Sequence, residues 1–251
     1  MRINNVLQKA NLNKKAYGFT LTFPSATILE IMANAGFDFV SFDGEHGAFN
    51  LETIEVLCRV ADGFGLTPMA RVPDIEPSTI LHYLDRGVMG ITGPHISSKS
   101  KALQLANSCR YSPIGKRSFG SGRGTYYGDL QSVQQYMEHT NSNILVIAQL
   151  EDISVLDELD QILQVNGINY FASGAQDIAQ SINLPGKPEH PEVKDFEKKV
   201  RDIVHAAGKM MEDEVMNTAK FNNLVLEAGK SFITDTLKEP SVSYTHLRAN
   251  E

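Results

Sequence analysis

The chain has 251 residues, 42% of them hydrophobic and 21% charged, and a formal net charge of −7. The length suits one large α/β barrel or two smaller domains, and the composition is that of a soluble globular protein. The acidic balance argues against a nucleic-acid partner or an anionic membrane, and no apolar run approaches the ~20 residues of a membrane span.

Short apolar runs alternate with amphipathic ones. A strand is expected at 16–22, a helix at 26–33 ended by Gly36, and a strand at 37–42. A helix follows with Leu51, Ile54, Leu57, Cys58 and Ala61 at helical spacing. Next come a strand at 67–72, a helix at 77–86 with Pro77 at its start, a strand at 88–92 and a helix at 99–108. Residues 112–128 form a Gly/Ser/Arg-rich loop, long enough to be functional or mobile. Helix at 130–138, strand at 143–150, helix at 155–164, strand at 168–172 and helix at 191–207 complete the regular part. Such alternation implies a parallel sheet. With no Gly-x-Gly-x-x-Gly after the first strand, a single closed (β/α)8 TIM barrel over residues 1–240 is favoured over an open doubly wound sheet.

The C-terminal part fits that scheme less well. The expected seventh strand, 209–215, is heavily charged, and 231–235 is the candidate for an eighth. Residues 241–251 show no amphipathic period and read as an irregular, non-native tail. Cys58 and Cys109 lack metal-ligand spacing and read as core residues. No apolar stretch follows Met1-Arg2-Ile3-Asn4 to make a signal peptide. A cytoplasmic location is expected.

Groups at the C-terminal ends of barrel strands converge on one face. Strand two ends in Asp43, Glu45 and His46, strand three in Arg71, and strand five in Gln149 and Glu151. Strand six leads into Gly174, Ala175 and Asp177. Glu151 and Asp177, from adjacent strands, suit a hard divalent cation that completes its octahedron with water and substrate oxygens. Arg71 offers a rigid fork of donors to a carboxylate or carbonyl oxygen; a rim salt bridge is the plainer alternative. His46 suits a general base, or a hydrogen-bonded core histidine. Gly174 and Ala175 offer backbone N–H groups with little bulk in the way of an anion. His95, after Gly93-Pro94, stands near a strand end. Gly120 to Gly124 has the look of a phosphate cradle but follows no strand and lacks the Gly-Lys-Ser/Thr ending, so it reads as a loop.

Several motifs in this order resemble the HpcH/HpaI aldolase/citrate lyase family of class II, metal-dependent pyruvate aldolases. They are Phe42-Asp43-Gly44-Glu45-His46-Gly47, Ala70-Arg71-Val72-Pro73 and Leu84-Asp85-Arg86-Gly87, then Arg110-Tyr111-Ser112-Pro113-Ile114-Gly115-Lys116-Arg117. Gln149-Leu150-Glu151, Gly174-Ala175-Gln176-Asp177-Ile178 and His190-Pro191-Glu192-Val193 follow. The resemblance runs from about Ala16 to Ala207. It implies a barrel of the phosphoenolpyruvate/pyruvate type. It implies Glu151 and Asp177 as ligands of Mg²⁺, Mn²⁺ or Co²⁺, Arg71 as the holder of pyruvate and its enolate oxygen, and His46 as the base oriented by Asp43. Gln149, Gly174 and Ala175 would surround the pyruvate carboxylate. Asp85 would reach a neighbouring subunit's site in a homo-oligomer, a trimer of dimers. The family's Gly-Pro-x-Asp-Leu-Ser stands here as Gly174-Ala175-Gln176-Asp177-Ile178-Ala179.

The expected reaction is reversible aldol cleavage of a 4-hydroxy-2-oxo acid to pyruvate and an aldehyde. The sequence-level strand ends present no lysine for a Schiff base, which disfavours class I chemistry. Two rival readings stand beside it: a citrate-lyase-β-like acyl-CoA lyase, which would need a basic CoA surface, and an inactive barrel that binds a 2-oxo acid.

Overall fold

A computed structural model describes residues 2–237. In chain order the elements are α1 (Asn5–Asn11), β1 (Ala16–Leu21), α2 (Ala26–Asn34), β2 (Phe39–Asp43), α3 (Leu51–Gly63), β3 (Thr67–Arg71) and α4 (Pro77–Asp85). β4 (Gly90–Gly93), α5 (Lys99–Cys109), a 3₁₀ segment (Arg123–Gly128), α6 (Val133–Asn143), β5 (Leu145–Leu150) and α7 (Val155–Leu163) follow. The chain continues with β6 (Tyr170–Ser173), α8 (Ala175–Ser181), α9 (Pro191–Ala206), α10 (Glu212–Val215), β7 (Met216–Lys220) and α11 (Phe221–Leu237). Local chemistry sets several starts. Ser25 caps α2, Asn50 and Thr53 close a reciprocal capping box on α3, and Pro77 opens α4.

The seven strands form one parallel sheet in the order β6-β5-β4-β3-β2-β1-β7. Alternation along each strand splits the core in two. Val40, Phe42, Ala70, Val146, Ala148 and Phe171 pack outward against the helices. Phe39, Met69, Leu145, Ile147 and Ala172 point inward, where Val6, Leu7 and Ala10 of α1 close the lower end. Asn4 ties that helix down: its Oδ1 accepts from Val6 and Leu7, and its Nδ2 donates to the Met89 carbonyl at 2.8 Å. Inward parity carries on to Asp43, Arg71, Gln149 and Glu151 at the upper ends. A one-residue slip would send each to the other face.

The expected (β/α)8 barrel is thus realised as a seven-stranded parallel half-barrel. Two sequence expectations need correction. The seventh strand at 209–215 shrinks to a single parallel bridge, Met211 with Phe171, followed by the helical turn α10. The eighth strand at 231–235 lies inside α11 instead, and the place beside β1 is taken by β7. The reason is tertiary: a short Ser-Phe-Ile-Thr run forms a strand only beside an open edge, and Met216–Lys220 already occupies the β1 edge. β7 also brings Lys220 to a strand end, in register with Thr20. Lys220 is exposed, so it lacks the desolvation that activates a Schiff-base lysine. The proposed tail at 241–251 lies outside the described residues.

Cys58 and Cys109 are buried, and burial pushes both thiols up to about 12. They are core residues, inert as nucleophiles. No helix among the described residues is long and apolar enough to cross a membrane.

Arg110, one residue past α5, is almost fully buried. It donates to the carbonyls of Gly167, Asn141 and Ile144 and to Asn169 Oδ1. Replacing it strands several buried acceptors at the feet of β5 and β6. Arg110→Met is expected to lower unfolding free energy by about 3 kcal/mol or more. A shift of the urea midpoint without change in slope would show it.

Candidate active site

The upper end of the half-barrel gathers a charged network. The parallel register sets Asp43 directly beside Arg71. Arg71 Nη2 donates to Asp43 Oδ2 at 2.7 Å and its Nε to Oδ1 at 3.2 Å. Its third nitrogen, Nη1, lies 3.1 Å from Glu45 Oε2. The loop after β2 wraps the same carboxylate, whose Oδ1 accepts from the backbone N–H groups of Glu45 and His46. That tight turn leaves no room at Gly44, where a Cβ would stand 2.4 Å from Tyr83 Oη and 2.8 Å from the Arg71 carbonyl.

Each charge shapes the others. Burial works against ionised Asp43, but the Arg71 hydrogen bonds and the His46 N–H outweigh it and hold the carboxyl below its usual value. Burial likewise works against the Arg71 charge, and Asp43, Glu45 and Glu151 outweigh it, so the guanidinium is held above its own. Glu151 differs. It is only 3% exposed, and burial drives its carboxyl up, with Asp177 and Glu45 adding to the rise and His95 offsetting part of it.

His95 is the residue the sequence left unassigned. Its backbone takes a left-handed φ of 54°, uncommon for a side-chain-bearing residue and the sort of strain found at functional sites. The turn aims both its N–H, at 2.8 Å, and its Nδ1, at 2.9 Å, at Glu151 Oε1. Its Nε2 lies 3.1 Å from Glu45 Oε1. His95 therefore bridges the Arg71 side of the site to Glu151. The position after Gly93-Pro94 at a strand end was the only sequence signal for it. Glu45 joins the network too, and its two contacts, with Arg71 Nη1 and His95 Nε2, are invisible in a linear motif.

The remaining expected residues divide. Gln149 is buried and donates through Nε2 to Glu151 Oε2. Gly174 stands at the start of α8. A Cβ there would lie 2.6 Å from Glu151 Oε2 and 3.0 Å from Gln149 Nε2, so glycine keeps that space open. The N–H groups of Ala175, Gln176 and Asp177 open α8 as helix-start donors. Asp177 is exposed in that first turn, close enough to Glu151 to raise its carboxyl. His46 is peripheral by comparison. Its side chain is 67% exposed, and its Nε2 lies 3.9 Å from Glu45 Oε2. Asp85 ends α4 and is engaged by Arg117 Nη2 at 3.0 Å. The guanidinium of Arg117 lies over the Tyr111 ring, 4.7 Å from its centroid. Within one chain the Asp43–Arg71–Glu45–His95–Glu151 network runs without Asp85.

No three His, Cys, Asp or Glu side chains among the described residues form a protein-only metal cage. Glu151 and Asp177 could nonetheless hold a hard cation such as Mg²⁺, which commonly takes one or two carboxylates and fills the rest with water and substrate oxygens. The elevated Glu151 carboxyl and the space kept clear over Gly174 fit that use: a buried anion in want of a cation, beside room for a ligand.

The chain matches the family described as HpcH/HpaI aldolase/citrate lyase over residues 18–238. It is 31% identical to a 4-hydroxy-2-oxovalerate aldolase of Rhodococcus jostii, across 82% of this chain and 80% of that one. It is 30% identical to a hydroxypyruvate/pyruvate aldolase of Chromohalobacter salexigens, across 77% and 76%. The crystal structure of an HpcH/HpaI aldolase from Desulfitobacterium hafniense DCB-2 superposes with a TM-score of 0.84 at 22% identity. It covers 94% of this chain and 98% of that chain, and it carries the likeness of fold.

A raised carboxyl makes a signed statement about stability. Above the ordinary 4.5 of a glutamate, the unfolded chain releases the Glu151 proton while the folded state still holds it. Stability is therefore full below 4.5 and is lost as pH rises through the folded value. Glu151→Gln is expected to fold at least as stably as the parent near neutral pH without metal, and to lose part of that pH slope. Added Mg²⁺ should raise the melting temperature of the parent and not of the variant. Thermal melts across pH, with and without Mg²⁺, check both.

Proposed function

The chain belongs to the HpcH/HpaI aldolase/citrate lyase family, and from that premise we propose that it cleaves a 4-hydroxy-2-oxo acid reversibly to pyruvate and an aldehyde. It is a carbon–carbon lyase. The observation that carries the reading is the clamped Arg71: a guanidinium fixed by Asp43 and Glu45, beside buried Glu151, at the open end of the sheet.

In the cleavage direction His46, exposed at the rim, takes the proton of the C4 hydroxyl. The C4 oxygen then forms the aldehyde carbonyl as the C3–C4 bond breaks. That bonding pair becomes the C2–C3 double bond of the pyruvate enolate. The negative charge settles on the C2 oxygen, where Arg71, held in place by Asp43, offers a preorganised donor. Return of the proton to C3 gives pyruvate and restores His46. Asp43 holds Arg71 in place and anchors the His46 backbone. Glu151 and Asp177 would hold Mg²⁺, Mn²⁺ or Co²⁺, which supplies Lewis-acid polarisation of the ketone oxygen when bound. Gln149 and the N–H groups at Gly174–Ala175 would receive the substrate carboxylate. Asp85 would serve a neighbouring subunit's site in a homo-oligomer.

Removing one donor from a developing oxyanion typically costs a hundred- to thousandfold in kcat. Arg71→Ala is expected to lose about that much. Arg71→Lys should recover little, because an ammonium cannot hold Asp43 and substrate with one planar fork. Pyruvate release followed with lactate dehydrogenase reads both. EDTA should abolish the parent's activity and Mg²⁺ or Mn²⁺ restore it. EDTA-resistant turnover would defeat the metal assignment.

A further inference from the structure

The degraded seventh strand leaves an acidic residue in an unusual place. Met211 is extended, with φ −81° and ψ 154°, and its side chain packs in the outer core with Phe171, the residue it bridges. Successive side chains of an extended segment leave on opposite sides. Glu212, the next residue, therefore faces into the half-barrel. Ala172 on β6, and Val215 and Met216 beyond the turn, line the inner core there. Arg71 is near enough to pull on the Glu212 carboxyl. The Glu212 carboxyl and the Arg71 guanidinium thus share the space above the inner core.

Glu212 has no assigned structural work. It is half-buried, and no hydrogen bond or ion pair among the described residues engages its carboxyl. Its neighbour in charge along the chain is Asp213, which is itself taken up by Arg201 at 2.7 Å. The cation that reaches it, Arg71, is already bonded by Asp43 and approached by Glu45. Burial, with Asp213 adding and Arg71 opposing, lifts the Glu212 carboxyl from 4.5 to about 7. At neutral pH and above it is therefore either a hydrogen-bonding acid or an uncompensated anion, in a mouth that already holds Glu45 and Asp177.

We propose that Glu212 is a specificity-determining residue: it selects neutral, hydroxyl-bearing aldehydes as the partner of pyruvate and rejects aldehydes that carry a second carboxylate. The inference rests on the aldolase reading above. The physical basis is twofold. A polar group without a protein partner gains most from a ligand hydroxyl, and a like charge in a partly desolvated mouth is repelled strongly.

The test compares kcat/KM of the full chain, with Mg²⁺ and above neutral pH, for aldol addition of pyruvate to three aldehydes. These are lactaldehyde (neutral, hydroxylated), propionaldehyde (neutral, no hydroxyl) and succinic semialdehyde (anionic). The parent should prefer lactaldehyde to succinic semialdehyde by at least about tenfold. Glu212→Gln removes the charge and keeps hydrogen-bonding capacity. It should cut that preference about tenfold while leaving lactaldehyde ahead of propionaldehyde. Glu212→Leu should lose both preferences. A structural role alone would lower all three rates together. Turnover with ratios unchanged in both variants overturns the inference and spares the aldolase reading. No product from any aldehyde with the folded, metal-supplemented parent overturns the aldolase reading, and the inference with it.

Discussion

The site is organised by one ion pair, Arg71 on Asp43, and that pair is a consequence of sheet register. In a parallel ladder the residue opposite Asp43 is fixed by the pairing of Phe39 with Thr67 four residues below. Once that register holds, the guanidinium and the carboxylate meet without a loop to position them. The bond is two-pronged, so it fixes the plane of the guanidinium as well as its place. An arginine at the rim of an acidic half-barrel would otherwise swing toward solvent, where its long side chain has entropy to gain. Asp43 prevents this and is itself pinned by two backbone N–H groups of the following turn. The plain alternative, a structural salt bridge, and the functional one are therefore not opposed: the salt bridge holds the guanidinium where its proposed role needs it.

Glu151 stands on the other side of the balance. A carboxylate this buried costs free energy unless something compensates it. His95 supplies part of that through its N–H and ring nitrogen, and Gln149 through its amide. The Glu151 carboxyl is still lifted above its ordinary value, so the compensation is incomplete in the chain alone. Stability would be served by a neutral side chain here. An acid kept at such a cost, next to a glycine whose missing Cβ leaves the space above it clear, accords with the cation proposed for this site.

Much of this was legible in the sequence because parallel barrels concentrate their chemistry at strand ends. Strands two, three, five and six could be read from their apolar runs, and their following residues, Asp43, Arg71, Gln149, Glu151 and Gly174, then fell on one face. What could not be read were contacts across strands. His95 looked like any histidine after Gly-Pro; only a left-handed backbone turn brings it to Glu151. Arg110 and Arg117 sit together in one of the motifs that carried the family resemblance, yet Arg110 serves the feet of β5 and β6 and Arg117 serves Asp85. The C-terminal third misled for a different reason. Residues 209–215 were expected as a strand because the architecture needs one there, but Glu212, Asp213 and Glu214 favour the first turn of a helix, where acids complement the exposed N–H groups. Phe221 to Leu237 carries good helix formers in its middle, Leu224, Leu226, Glu227, Ala228 and Lys230, and the β-branched residues near its end follow the helix once β7 has taken the place beside β1.

That local preference has a structural consequence at the mouth. β6 and β7 are the two edges of the sheet, and the single bridge from Met211 is the link between Phe171 and the segment leading to β7. A full strand at 209–215 would have carried its acids alternately inward and outward along the wall. The helical turn instead folds Asp213 and Glu214 back toward Arg201 and His205 on α9, where they are paired. Only the first acid, fixed by the extended step after Met211, is left facing inward. The same departure from regular barrel geometry that obscured the strand in the sequence thus sorts three adjacent acids into two that pair on the outer wall and one that faces into the half-barrel.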